Sequence, residues 1–239
     1  MNEECHGLKD RWFIVESSLN AIPNVYDKTS RLMSLGTDTK YRKESLRNVI
    51  RSGTKIVLDA GSGTGLMTNA LLEISTKFHD FIIEFDASKS MMKFSKARFK
   101  KRPDVQFVVG IFEYLPFKDG SINLTMCGFS LRDAINMKMA VKEVSRVLKD
   151  NGCFVVLDMG KPSFPLLKIV FAMYWTIIPV LTVALIDVSY VKHYSKLLLT
   201  YLRYPTKDKM LHLFKQFFND VKHYFKAFGG VSIFILRKS

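Results

Sequence analysis

The chain has 239 residues, 48% apolar and 13% aromatic, which is enough to bury a sizeable core in one α/β domain and too apolar for a disordered chain. Its 36 Lys and Arg against 22 Asp and Glu give a formal charge of +14, so anionic partners are attracted to its surface. Cys5, Cys127 and Cys153 are odd in number and far apart, which suits neither a disulfide framework nor zinc-knuckle spacing, and they are expected to be packing residues in a reducing compartment.

The start, MNEECHGLKDRW, is charged within its first residues and has no apolar h-region, so it does not read as a secretory signal and a cytoplasmic protein is expected. The first fifty or so residues (1–53) read as helical segments packed on the front of one domain. From Thr54 an apolar run (KIVLD), a Gly-rich turn, a helical stretch to about Ile74, a second run (DFIIEFD) and another helical stretch alternate, as in a parallel sheet covered by helices. The stretch SKSMMKFSKARFKKRP, with seven Lys or Arg from Lys89 to Arg102, is taken as a solvated helix face with Met91, Met92 and Phe99 turned inward. VQFVV, INLTMC and CFVVLD supply three more strands, and MKMAVKEVSRVLKD, with 3.6-residue periodicity, a helix before the last of them.

Residues 168–187, KIVFAMYWTIIPVLTVALID, have no charge between Lys168 and Asp187. They are long enough to cross a bilayer. A span would strand the C-terminal strands beyond the membrane and leave the sheet edge open, and Pro179 would break the run, so two shorter helices packed as a hairpin are expected. KDKMLHLFKQFF then reads as a helix, and NDVKHYFKAFGGVSIFILRK as two strands joined at Gly229 and Gly230, which makes seven strands. One domain is expected, divided into a helical start (1–53), a cofactor-binding core (54–160), an apolar lid over the substrate (161–205) and a closing helix with two strands (206–239).

The turn Asp59-Ala60-Gly61-Ser62-Gly63-Thr64-Gly65 follows the first strand without side chains that obstruct a flat ligand, and Asp86, ending the second strand, suits the two hydroxyls of a ribose. A carboxylate just before the turn repels a pyrophosphate but would help hold the ammonium group of S-adenosylmethionine, which favours that methyl donor over a dinucleotide; the alternative is that Asp59 caps a helix or turn.

These residues resemble the class I methyltransferases, and more narrowly the ubiquinone/menaquinone biosynthesis C-methyltransferases of the UbiE/MenG type. The resemblance runs from about Val25 to the C-terminus through YDKTSRLMSLGTDTKYR, VLDAGSGTG, FDASKSMM, EYLPFKDGSINLTMCGFSLRD, EVSRVLKDNGCFVVLDMGKP, YSKLLLTYLRYP and FGGVSIFILRK. It implies a Rossmann-like seven-stranded sheet, mostly parallel with an antiparallel final strand and helices on both faces. For the donor it implies Asp59, Gly61, Ser62, Gly63, Gly65, Asp86, Ala87 and Gly128, with Ile111, Phe112 and Glu113 near the adenine. Ile111 stands where a small polar residue is usual, so its contact would come from backbone groups. The chain departs from the family at Ser30, Asp38 and Tyr41 (Asn, His and Trp in the family), at Asp150-Asn151-Gly152 (PGG), and at Asp158 and Gly160 (Glu and Ser). In the family's FGLRN motif Ser130 replaces Gly and Asp133 replaces Asn.

The implied reaction is carbon methylation of a prenylated quinol. Arg132 would stabilise the phenolate, Asp133 or Asp158 would accept the phenolic proton, and Tyr26, Phe129, Tyr174, His193 and Tyr194 would line the pocket, the alternative for His193 being an exposed place on a helix. No metal is expected. The lid would take up the prenyl tail at an anionic membrane surface, held there by Lys161, Lys168, Lys192 and Lys196, so the protein is expected to be cytoplasmic and peripherally bound; a homodimer is compatible with the sequence. A nucleic-acid methyltransferase would explain the charge, but it places an Asn or Asp with two prolines and an aromatic after strand four, where this chain reads CGFSLRD. A methyltransferase of another small or lipid-like molecule is the nearer alternative.

Overall fold

A computed structural model describes residues 7–50, 53–75, 80–162 and 164–239; Cys5 lies outside them. The sheet has seven strands: β1 (Ile56–Ala60), β2 (Phe81–Asp86), β3 (Val105–Val109), β4 (Ile122–Gly128), β5 (Leu148–Met159), β6 (Asp220–Lys226) and β7 (Val231–Arg237). Their spatial order is β3-β2-β1-β4-β5-β7-β6, with β1 to β5 parallel and β7 antiparallel between β5 and β6. The alternating runs form the parallel part, as expected, and the antiparallel final strand makes it the mixed Rossmann-like sheet that the family resemblance implies.

The central strands are apolar on both faces because helices cover both. On one face Leu58, Phe85, Phe154 and Phe234 meet α6 (Met137–Val147) and α9 (Lys207–Lys215). On the other, Val57, Ile82, Leu124 and Val155 meet α3 (Thr37–Arg47) and α4 (Leu66–Ile74). Helix α6 shows how the sequence produces this. Asn136 caps it by accepting from the Met139 N–H at 3.1 Å, and Met137, Ala140, Val141, Val144 and Val147 recur at helical spacing and are all buried. Each large side chain among them contributes about 1.5–3 kcal/mol, so a charge at Val144 would undo the helix's attachment. The helix ends at Val147, short of the Asp150 expected from periodicity, because fully buried Leu148 already pairs with Ile122 in the sheet.

The chain leaves β1 toward β2 and β3 on one side, and passes from β4 to β5 on the other. The carboxyl ends of β1 and β4 therefore diverge and open a crevice. Helices α1 (Trp12–Ala21) and α2 (Pro23–Met33) stand over it. Helix α2 is tied down there: Asp27 accepts from the Thr64 hydroxyl and pairs with Arg98 of α5 (Lys89–Arg98), whose Nε donates to the Thr64 carbonyl at 2.8 Å. On α5, Met91 and Met92 are buried, as is Phe99 just after it, so the basic run is a helix with an apolar inner face.

The apolar run departs from expectation. It forms one helix, α7 (Pro165–Ile186), with Pro179 inside it, and the hairpin is made with the next helix, α8 (Val191–Arg203). A proline removes one donor, but Pro179, Thr182 and Val183 are buried, and that packing carries the helix through the missing bond. The opposite side is not covered: Leu166, Ile169, Met173, Ile177, Leu181 and Leu185 are all exposed.

Candidate active site

The Gly-rich turn is closed by the Gly61 and Ser62 N–H groups, which donate to the Phe85 carbonyl at 2.7 and 3.1 Å. Gly63 has φ of +59° and open space where a Cβ would stand, so its bare backbone faces the crevice. Asp86 accepts from the Gly63 N–H at 2.8 Å and the Ser88 N–H at 2.7 Å, which aims its carboxylate into the same space. Gly61, Asp86 and Asp133 line two adjoining clefts. Ala87, Ile111, Phe112 and Glu113 complete the first; Ser62, Gly63, Gly128 and Phe129 complete the second. Glu113 accepts from the Asn136 N–H at 2.8 Å, and burial raises its carboxyl above the ordinary range.

Two donor-site residues expected from the sequence sit elsewhere. Asp59 is fully buried, lines neither cleft, and accepts from the Thr68 N–H at 3.0 Å and the Thr68 hydroxyl at 2.8 Å, so it caps the first turn of α4. Its neighbour in register is Glu84; burial and that second acid hold the Asp59 carboxyl well above the ordinary range. Gly65 is the other. A Cβ there would stand 2.5 Å from the Phe99 ring, so it lets α4 and α5 approach and does not face the clefts.

After β4 the chain turns through Phe129, in left-handed backbone at φ +62°, into a single 3₁₀ turn, Leu131–Asp133. There Arg132 donates from Nη1 to Asp158 Oδ1 at 2.8 Å, and its Nε lies 3.8 Å from Asp133 Oδ1. Burial opposes the Arg132 charge, but the two carboxylates hold it protonated. Asp158 is fully buried, also accepts from the Met159 N–H at 2.8 Å and lines none of the cavities, so it cannot reach a substrate as a base; it fixes Arg132. Asp133 differs. Its Oδ1 has no hydrogen-bond partner among the described residues, and burial, opposed by Arg132 and reinforced by Asp158, pushes its carboxyl up to about 7.

A third cavity, of about 460 Å³, lies between α2, α3, α7, α8 and the β6–β7 turn. Tyr174, Trp175, Tyr194 and Tyr201 form an aromatic wall, and Arg132 is part of the lining. Tyr174 is fixed by donating to the Met33 carbonyl. Tyr26, Arg42 and Phe129 line this cavity and the second cleft alike, and so mark where the two spaces meet. His193 does not join them; on α8 it lies outside the cavity lining, and burial together with Lys192 and Lys196 lowers its affinity for a proton.

Arg42 is the residue that sequence reasoning missed. It is 4% exposed, its Nε has no acceptor among the described residues, and Asp38 is 3.9 Å away. The guanidinium stands over the Phe129 ring at 5.2 Å and so close to Gly128 that a Cβ there would be 2.5 Å from Nη1. Its signal was its place at the end of YDKTSRLMSLGTDTKYR, a signature read for resemblance alone.

Residues 6–238 match the ubiE/COQ5 methyltransferase family. A demethylmenaquinone methyltransferase from Staphylococcus haemolyticus is 30% identical over 221 residues, 91% of this chain and 90% of that protein. A ubiquinone/menaquinone biosynthesis C-methyltransferase UbiE from Citrifermentans bemidjiense is 26% identical over 234 residues, 95% and 97% of the two chains. Among solved structures, a SAM-dependent methyltransferase of Thermotoga maritima described as a possible histamine N-methyltransferase shares the fold, with a TM-score of 0.66, 17% identity and coverage of 94% of this chain and 100% of that one.

Proposed function

Because the chain belongs to the ubiE/COQ5 methyltransferase family and is an S-adenosylmethionine-dependent methyltransferase, we propose that it methylates a ring carbon of a prenylated quinol in quinone biosynthesis. The observation that carries this reading is the junction at Tyr26, Arg42 and Phe129, where a donor cleft lined by Asp133 meets a large aromatic cavity lined by Arg132.

The residues present fit the donor. Asp86 takes the ribose hydroxyls, Ile111, Phe112 and Glu113 border the adenine, and the bare backbone of Gly61 to Gly63 accommodates the rest. Arg42, a buried cation short of partners in the second cleft, takes the α-carboxylate. Bound S-adenosylmethionine supplies an electrophilic methyl group and a neutral leaving group.

The protein's own task is then alignment, proton transfer and exclusion of water. A phenol with a pKa of about 10 is a poor nucleophile at neutral pH until it loses its proton. Asp133, with its carboxyl at about 7, accepts that proton from the quinol hydroxyl. Arg132, held by Asp158, stabilises the phenolate, whose charge makes the neighbouring ring carbon nucleophilic. Phe129, Tyr26, Tyr174 and Tyr194 hold the ring and the start of the tail in an apolar setting. The tail links this site to lipid, and the reading we propose has a cytoplasmic protein working at an anionic membrane surface, with Lys161, Lys168, Lys192 and Lys196 beside the α7–α8 hairpin binding it peripherally.

Mass spectrometry of the quinone pool from cells lacking this protein tests the reading: a demethylated quinone accumulates, whereas an unchanged pool overturns it.

A further inference from the structure

Resting on that reading of the substrate, we propose that the large cavity is loaded sideways from the bilayer, through an apolar mouth formed by Leu35, Phe228 and the exposed stripe of α7. Only the ring and the first part of the tail enter the protein.

Residues that line a cavity and are also exposed mark its opening. Leu35, in the α2–α3 turn, is 90% exposed, Phe228, in the β6–β7 turn, is 91% exposed, and Val170 on α7 is 50% exposed; all three line the cavity. Leu35 and Phe228 both stand in left-handed backbone, at φ of +50° and +53°, a conformation that costs free energy for bulky residues and here projects them from the tips of two separate turns.

Beside this mouth, Leu166, Ile169, Met173, Ile177, Leu181 and Leu185 recur every three or four residues along α7 and are 44–87% exposed. At the helical rise this stripe is roughly 29 Å long. Contiguous apolar surface of that extent marks an interaction face. A cavity of about 460 Å³ suits a ring and a short stretch of tail, so a longer tail continues outward over this stripe, where water is a poor solvent and lipid a good one.

Charge selects the occupant. Residues 161–203 carry five cations (Lys161, Lys168, Lys192, Lys196 and Arg203) and one anion, Asp187, while Lys207 beyond them is paired with Asp208. Two copies joined through this face would bring cations against cations, whereas anionic lipid head groups neutralise them. The occupant is therefore the bilayer surface, with the two turn tips and the α7 stripe below the head groups.

The test uses the whole protein with vesicles of phosphatidylcholine and phosphatidylglycerol. In Phe228→Trp the added indole is expected to shift its emission to the blue on vesicle addition, relative to the parent, and to be quenched by lipids brominated in their acyl chains. The double variant Ile169→Gln/Met173→Gln alters side chains outside the cavity lining. It should keep its affinity for S-adenosylhomocysteine and its turnover of a water-soluble quinol with one isoprene unit, while losing at least tenfold in turnover of a long-chain quinol embedded in vesicles. If the parent methylates neither quinol, the substrate assignment has failed, and the Phe228→Trp signal alone decides on insertion. Absence of that signal overturns the proposal, as does an equal loss on both quinols. A dimer that buries the new indole without vesicles assigns the face to a second copy and overturns it too.

Discussion

Arg132 donates from Nη1 to Asp158 Oδ1 over 2.8 Å, and this buried pair leaves the Arg132 Nε beside Asp133 at 3.8 Å. The guanidinium is oriented by one acid and faces the other. Removing Asp158 leaves a buried positive charge without its closest partner, a loss of about 3–5 kcal/mol. Asp158→Ala should therefore show that loss in urea unfolding, with Asp158→Asn, which keeps an acceptor, losing less. Parent-like stability for the alanine variant would mean that Arg132 does not depend on this pair.

Asp133 sets a pH dependence. Its carboxyl is raised from 3.8 to about 7, so the base form is present above about pH 7, and turnover should rise through that pH and then level. Asp133→Asn should lower turnover by about 10²–10⁴-fold and abolish that limb. The linkage has the matching sign. A raised acid favours the fold while it is protonated, so its contribution is full below 3.8 and is lost as pH rises through about 7. Thermal unfolding across that window should show the parent losing stability that Asp133→Asn does not lose. A limb that persists in the variant assigns the titration to another group.

Asp86 receives two backbone N–H groups and faces both donor clefts. Asp86→Ala should weaken S-adenosylhomocysteine at least tenfold by calorimetry, a loss of about 1.4 kcal/mol. Unchanged affinity would put the donor elsewhere.

Arg42 separates the two ends of the donor. Arg42→Met should weaken S-adenosylhomocysteine more than tenfold and leave adenosine, which has no carboxylate, within twofold. Equal losses for both ligands would make Arg42 a packing residue of the Phe129 loop.

The sheet was legible because apolar runs of five or six residues, separated by helical periodicity, leave little choice of topology, and β1 to β5 could be read in that way. Contiguity also made the donor turn legible, since Gly61 to Gly63 and Asp86 lie at strand ends that the fold brings together. Side-chain direction was not. Asp59 and Gly65 belong to the same short motif as Gly63, yet the Asp59 carboxylate turns to Thr68 beneath the turn, and Gly65 is needed where Phe99 and Ser95 leave no room for a side chain. Asp158 and Asp133 were equivalent candidates until the sheet buried the first and left the second at the clefts. Pro179 favoured a break that burial of its own face overrides. Arg42 carries no local signal of burial, because its position between two cavities is set by elements distant in sequence.

Incubation with S-adenosylmethionine carrying a deuterated methyl group and a demethylated prenylquinone, with the product located by mass spectrometry and NMR, tests the central claim most directly. The account predicts one labelled methyl group on a ring carbon, formed from the reduced quinol and not from the oxidised quinone, and nearly absent with Arg132→Ala although that variant still binds S-adenosylhomocysteine. Label on a phenolic oxygen, equal reaction of the oxidised quinone, or label transferred to RNA in its place would contradict it.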